Sequence, residues 1–344
     1  VGGQLSLFGD HGGNENATNY RSGLVQPHVT EEDRDLAGRL PRFIRFGTSS
    51  WSFPGWTGIV WKGPQPSEAD LAHSGLEAYA QHPLLRAVGV DRSYYGPLSD
   101  EDLASYDAQL GVARERAPGL PRFRVLSKVW DEITTAVFPR HPRYGARAGR
   151  KNPHFLDVER FRSEVLAPYL RSFSESAGPF MFELTPMPQG SMDERALVAR
   201  VDDFVSRLPS GLRYAFELRN PELFGPRWLA MLRANGAAHV FTFWTAMPPL
   251  RDQLRARALV APFTVVRLML PPYTRYAPRR ADLAPFDKIS EPQPEMRADV
   301  VDILRAADRA GCDEAFVLVG NKAEGSAPLT LRELAKKTAA AFSR

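Results

Sequence analysis

A single cysteine, Cys312, stands in a chain of 344 residues. One thiol excludes an intramolecular disulfide framework and any multi-cysteine zinc or iron–sulfur site. No apolar run reaches the ~20 residues that a membrane-spanning helix needs, so no membrane partner is expected. The N-terminal stretch also lacks the basic start and apolar centre of a secretory signal, which makes the cytoplasm the expected compartment. The seven histidines, His11, His28, His73, His82, His141, His154 and His239, do not gather where strands end. A multi-zinc centre is therefore not expected.

What is present has a clear rhythm. From residue 43 onward, short runs rich in β-branched and aromatic residues alternate with amphipathic helical stretches. The predicted strands are 43–48, 86–91, 123–128, 180–184, 214–218, 239–243, 264–269 and 315–319. Each is nearly continuous in hydrophobicity, as expected of parallel strands covered on both faces. Helical patterns occupy 99–116, 157–174, 191–208, 294–310 and 329–342. Eight such units over about 300 residues predict an α/β protein built as one (β/α)8 TIM-type barrel. A doubly wound sheet is the alternative, but no Gly-x-Gly-x-x-Gly turn follows the first strand.

The first forty residues read differently. They hold six acids and three bases and show neither strand nor helix period, so a flexible tail is expected over 1–40 and a barrel over 41–344. Removing that tail changes the net charge from +4 to +7. One apolar island interrupts it: Gln4, Leu5, Ser6, Leu7 and Phe8. This stretch resembles the short motif with which bacterial replication and repair proteins dock on the DNA sliding clamp. Gln4 would offer its amide, and Leu5, Leu7 and Phe8 would anchor in an apolar pocket.

In a TIM barrel, chemistry sits where strands pass into the following loops. The polar residues expected there are Thr48 to Trp51, Asp91 to Tyr95, Lys128, Glu183, Glu217 with Arg219, Thr242 with Trp244, Arg267, and Asn321 with Lys322. Glu183 and Glu217 on neighbouring strands form a candidate acid/base pair. Equally, Glu217 could pair with Arg219 or Arg267 and brace the barrel. Lys128 is a candidate anion ligand or, with a carbonyl substrate, an amine nucleophile. Arg219 and Arg267 suit bidentate binding of phosphate or carboxylate. Asp91, Tyr94, Asn321 and Trp51 complete the expected substrate contacts. The sequence requires no cofactor; a magnesium ion on Asp91, Glu183 and Glu217 is allowed by their oxygen chemistry.

Two loops on that face are basic. Arg140, Arg143, Arg147, Arg150 and Lys151 occur with no acid between Glu132 and Asp157, and Tyr273, Arg275, Tyr276, Arg279 and Arg280 follow the seventh strand. Basic side chains mixed with aromatics suit a phosphate backbone with stacked bases. Arg143 and Arg147 are accordingly candidate contacts for DNA or another anionic substrate.

The stretch 46–56, Phe-Gly-Thr-Ser-Ser-Trp-Ser-Phe-Pro-Gly-Trp, resembles the opening signature of the YecE-like proteins, a family defined as a domain of unknown function. Val125 to Lys128, Phe216 to Asn220 and Val266 to Leu268 match it in order, over roughly residues 43–340. The resemblance implies a TIM-type barrel and no particular reaction. It also marks the chain as a divergent branch. Asp91-Arg92-Ser93 stands where the family has Glu-x-Asn, Glu183 to Pro186 where it has Gln-Leu-Pro-Pro, and Arg267 to Leu270 where it has Arg-x-His-Gly. The leading expectation is a clamp-recruited enzyme of genome maintenance, a hydrolase or lyase acting on DNA, a nucleotide or another phosphate-bearing substrate. A carbohydrate or sugar-phosphate hydrolase and a non-catalytic DNA-maintenance adaptor are the alternatives.

Overall fold

Eight parallel strands close on themselves in sequence order, each bonded to the next and the last to the first. The structure is a computed structural model that describes residues 20–271, 274 and 276–343. The strands are β1 (Ile44–Thr48), β2 (Ala87–Val90), β3 (Arg124–Lys128) and β4 (Ala177–Glu183). They continue as β5 (Tyr214–Glu217), β6 (Ala238–Phe243), β7 (Phe263–Leu268) and β8 (Glu314–Val319). Every predicted strand is found, with its ends displaced by at most three residues. The predicted (β/α)8 barrel is the fold.

Side chains alternate along a strand, and this alternation divides the interior into layers. Leu126, Met181, Ala215, Val240, Val265 and Leu318 belong to one small apolar cluster inside the barrel. Two residues further along the same strands stand Lys128, Glu183, Glu217, Thr242 and Arg267. The register pairs Glu183 with Glu217 across β4 and β5, and Thr242 with Arg267 across β6 and β7. A charged layer thus caps an apolar one at the C-terminal end of the barrel. Outside, Phe46, Phe182, Phe216 and the helices that follow each strand form the larger core.

Two expectations are corrected. The flexible tail expected over 1–40 is contradicted over residues 20–40, the part of it that is described. A helix spans Glu31–Arg39, opened by a capping box in which Thr30 and Asp33 satisfy each other's backbone N–H groups. Asp33 is fully buried and takes both Nε (2.6 Å) and a terminal nitrogen (3.0 Å) of Arg332, with His82 3.5 Å away. Buried Glu77 accepts from the Tyr20 hydroxyl and the Gly23 N–H. The acidic patch is therefore a helix start plus an ion-pair anchor whose partner lies 299 residues away. The clamp-motif residues Gln4, Leu5, Leu7 and Phe8 lie outside the described residues.

The helix expected over 157–174 is also interrupted. It begins as Val158–Arg160, widens into a π-turn at Phe161–Leu166 and resumes as Ala167–Ser172. Pro168 cannot donate to a carbonyl four residues back, and its ring crowds that carbonyl, so the wider turn absorbs it.

Candidate active site

At the C-terminal mouth the charged layer resolves into six groups, three of each sign. Arg267 comes from β7, is 1% exposed, and stands at the centre. One of its terminal nitrogens lies 2.5 Å from Glu183 Oε2 and 2.6 Å from Glu217 Oε2; the other donates to Asp91 Oδ1 at 2.9 Å. Arg219 spans the same glutamates, with Nε 2.7 Å from Glu217 Oε1 and a terminal nitrogen 2.8 Å from Glu183 Oε2. The Lys128 ammonium sits 2.9 Å from Glu183 Oε2, and the Thr242 hydroxyl donates to Glu217 Oε1 at 3.1 Å. Aromatic rings close the cluster from the side. Lys128 Nζ lies 4.1 Å from the Tyr94 ring centre, and the Arg219 guanidinium 3.9 Å from that of Trp244.

This arrangement decides what the glutamates can do. Burial alone would push Glu183 upward, but Arg219, Lys128 and Arg267 outweigh it and hold the carboxyl well below its usual range. Glu217 behaves alike: burial raises it, Arg219 and Arg267 lower it further, and the result is again below the ordinary value. Both are carboxylates at neutral pH, so neither is a proton donor. The bracing role weighed for Glu217 is the one its contacts describe, and Glu183 shares it. The three carboxylates that could have held magnesium converge on the Arg267 guanidinium instead. Among the described residues no group of three or more His, Cys, Asp and Glu side chains could hold a metal ion.

Beside this cluster lies a cavity of about 260 Å³ at the ends of β8, β1 and β2. Ser49, Ser50 and Ser52 line it from the β1 loop, and Asn321 and Lys322 from the short turn after β8. Phe53, Trp56 and Phe286 give an aromatic wall, with the Phe53 ring centre 4.9 Å from Trp56 and 5.8 Å from Phe286. Of the six charged groups only Asp91 lines this space. It sits at the start of a short 3-10 turn, Asp91–Tyr94, directly after β2. Its Oδ1 holds Arg267, and its Oδ2 has no hydrogen bond among the described residues.

The remaining expected contacts are distributed as follows. Asn321 joins the cavity wall, its Oδ1 accepting from the Ala327 N–H (2.9 Å) and Trp56 Nε1 (3.2 Å). Tyr94 is buried under Lys128, its hydroxyl 2.8 Å from the Thr185 hydroxyl. Trp51 faces away from the cavity into the core, donating from Nε1 to the Leu71 carbonyl and packing edge-on against Tyr106. Arg143 and Arg147 are engaged with Asp131 (3.0 Å) and Glu132 (2.7 Å). In the second basic loop, Tyr273 and Arg275 lie outside the described residues. Arg279 is buried against Glu291 and the carbonyls of Lys322 and Ala323.

The family defined as "Protein of unknown function DUF72" matches residues 45–344. The chain belongs to the DUF72 family. Its barrel resembles a crystal structure of a DUF72 protein from Enterococcus faecalis at 18% identity and a TM-score of 0.54, covering 86% of this chain and 95% of that one. A DUF72 protein from Thermotoga maritima is similar at 16% identity and 0.54, over 86% and 98%. At these identities the likeness concerns the fold. No curated protein matches the chain. The YecE-like resemblance in the motifs is this same DUF72 membership. Sequence reasoning missed Gln65, Glu68, Pro285 and Phe286, which reach the cavity of this DUF72 chain from outside the strand ends. It also missed Asp131 and Glu132 as counterions of the basic loop. No charge count along the chain could have paired them.

Proposed function

We propose that the protein is an enzyme that processes a phosphate-bearing substrate, DNA or a nucleotide, by general-base chemistry at Asp91. The observation that carries this reading is the placement of Asp91 on the wall of the cavity of about 260 Å³, with one carboxylate oxygen bound by Arg267 and the other without a hydrogen bond among the described residues. A general base needs a fixed direction and an accessible lone pair. Arg267 supplies the first, and the cavity the second. Glu183, Glu217, Arg219 and Lys128 then act as positioning residues that fix Arg267. The substrate unit would stack on Phe53, its polar edge on Ser50, Ser52, Asn321 and Lys322. In a hydrolytic reaction Asp91 would take a proton from water as its oxygen attacks phosphorus, the P–O bond to the leaving alcohol breaks and that oxygen is protonated by solvent. In an elimination Asp91 would take the proton from the substrate carbon as the neighbouring C–O bond breaks and phosphate leaves as the anion.

A cavity of this size suits one sugar or nucleoside unit, so a polymer would present an end or a flipped nucleotide. Hydrolysis of a glycoside by Glu183 and Glu217 is not favoured, because that chemistry needs one carboxyl protonated. The test is turnover of short oligonucleotides, nucleotides and sugar phosphates by the wild type and Asp91→Asn. The variant should lose about 10²- to 10⁴-fold in kcat while keeping its affinity. Retained turnover in Asp91→Asn would sink the assignment, and binding without turnover in the wild type would favour the adaptor. Recruitment through Gln4, Leu5, Leu7 and Phe8 belongs to the same proposal. A peptide of residues 1–12 should bind purified sliding clamp, and Leu7→Ala with Phe8→Ala should abolish that binding.

A further inference from the structure

The loop after β3 is a hydrogen-bonded hairpin that sorts its five bases into two classes. Its stem pairs residues 136–138 with 149–152. Asn152 N–H donates to the Ala136 carbonyl (2.9 Å), Phe138 N–H to Arg150 (3.0 Å) and Gly149 N–H to Phe138 (2.8 Å), with Val137 and Lys151 bridged antiparallel. The Asn152 side chain ties the stem to the carbonyls of Glu132 (2.7 Å) and Thr135 (2.8 Å). Gly149, at φ 77°, makes the turn back into the stem in a region that favours glycine.

Two of the bases hold this hairpin on the rim. Arg143 pairs with Asp131, which also accepts from the Tyr144 hydroxyl at 2.8 Å, and its guanidinium stacks 4.3 Å from the Tyr95 ring centre. Arg147 pairs with Glu132 and lies 4.5 Å from the Phe138 ring centre. Both nearby acids are thereby used. Arg140, Arg150 and Lys151 are exposed and have no ion pair among the described residues. Three uncompensated cations are thus presented by a backbone that is already ordered.

We infer that this hairpin is a nucleic-acid backbone clamp, with Arg140, Arg150 and Lys151 contacting successive phosphates. The inference rests on the reading of the mouth as an active site and narrows its substrate to a polymer. A mononucleotide would fill the cavity and leave the hairpin unused. A membrane surface would call for apolar side chains among the bases, whereas residues 139–151 expose none that is large. Fixed geometry lowers the ordering cost of binding, and each neutralised phosphate releases counterions, so affinity falls steeply with salt.

The experiment measures binding of a fluorescent single-stranded oligonucleotide to the full chain between 50 and 300 mM salt, by anisotropy. All proteins carry Asp91→Asn so that no substrate is consumed. Replacing Arg140, Arg150 and Lys151 together by Gln should weaken binding at least about tenfold at 0.1 M salt. The slope of log affinity against log salt should fall by about 2, which is roughly 0.7 for each of three phosphates on a single strand. An unchanged melting temperature will show that the triple variant is folded. An unchanged slope and affinity would overturn the clamp, as would equal competition by a polyglutamate peptide. The active-site reading fails separately. Turnover is assayed separately on the chain with Asp91 intact, and hairpin-dependent binding together with no turnover removes the enzyme and keeps the clamp. Mononucleotide turnover with no oligonucleotide affinity does the reverse.

Discussion

The two sides of the barrel mouth spend their polar groups in opposite ways. From β3 round to β7, Lys128, Glu183, Glu217, Arg219 and Arg267 are turned on one another and closed from the side by Tyr94 and Trp244. From β8 round to β2, serines, Asn321 and an aromatic wall surround an open cavity. Asp91 belongs to both. Density of charged groups, then, is a poor guide to the open part of the mouth, because the most charged sector is buried. The sealed side sets the direction of one carboxylate, and the open side is where that carboxylate can work.

The largest expected effect comes from removing the centre of the sealed side. Arg267→Met leaves Asp91, Glu183 and Glu217 with less compensation inside the barrel, and breaking a buried ion pair costs about 3–5 kcal/mol. Urea denaturation should show that loss as a lower midpoint. A loss below about 1 kcal/mol would mean that the cluster relaxes or takes up protons, and that the two sides are not mechanically distinct.

Acid should separate the sides next. Glu183 and Glu217 are held below their ordinary range in the fold, so the stability they contribute is complete above the unfolded value of about 4.3 and is lost as pH falls through the folded values. Two buried histidines act earlier. Burial pushes His239 down to about 4 and also lowers His82, so their contribution begins to fall below about pH 6.5. The expected profile of unfolding free energy is a decline that begins below about 6.5, where the histidines act, and continues below about 4.3, where the glutamates take over. Glu183→Gln should flatten only the lower part. A variant that changes the upper part instead would contradict the assignment.

Much of this contrast was legible beforehand, and the reasons are specific. Parallel strands buried on both faces are continuous in hydrophobicity, so all eight could be read, and strand alternation then places Lys128, Glu183, Glu217 and Arg267 in one layer. Which of those groups remains available could not be read, because that depends on contacts such as Arg267 with Asp91, 176 residues apart. The same holds at the N-terminus, where Asp33 is an anchor only because Arg332 comes to it. It holds again in the β3 hairpin, where a sequence count of five bases becomes three once Asp131 and Glu132 are taken into account. Separation along the chain, more than weak local signal, is what hid these features.

On the open side the expected effects are smaller and mostly functional. Gly55 lies where the β1 loop meets the β7 loop, and a Cβ there would fall 1.9 Å from the Pro285 carbonyl oxygen. Gly55→Ala must push the two loops apart, at a cost of about 1–3 kcal/mol. It should raise KM more than it lowers kcat, since Asp91 and Arg267 are untouched. Equal losses in both would show that the roof also holds the base.

A matched pair gives the finest comparison. Thr242→Val on the sealed side keeps the side-chain volume and removes one donor from buried Glu217, which should cost about 1–3 kcal/mol. Ser50→Ala on the open side removes the hydroxyl of a residue that lines the cavity, which should leave stability within about 0.5 kcal/mol and change substrate affinity instead. Thermal unfolding with oligonucleotide binding on both variants measures the two quantities together. If Ser50→Ala proved as destabilising as Thr242→Val, the cavity hydroxyls would be part of the scaffold, and the division of the mouth into a brace and a binding space would fail.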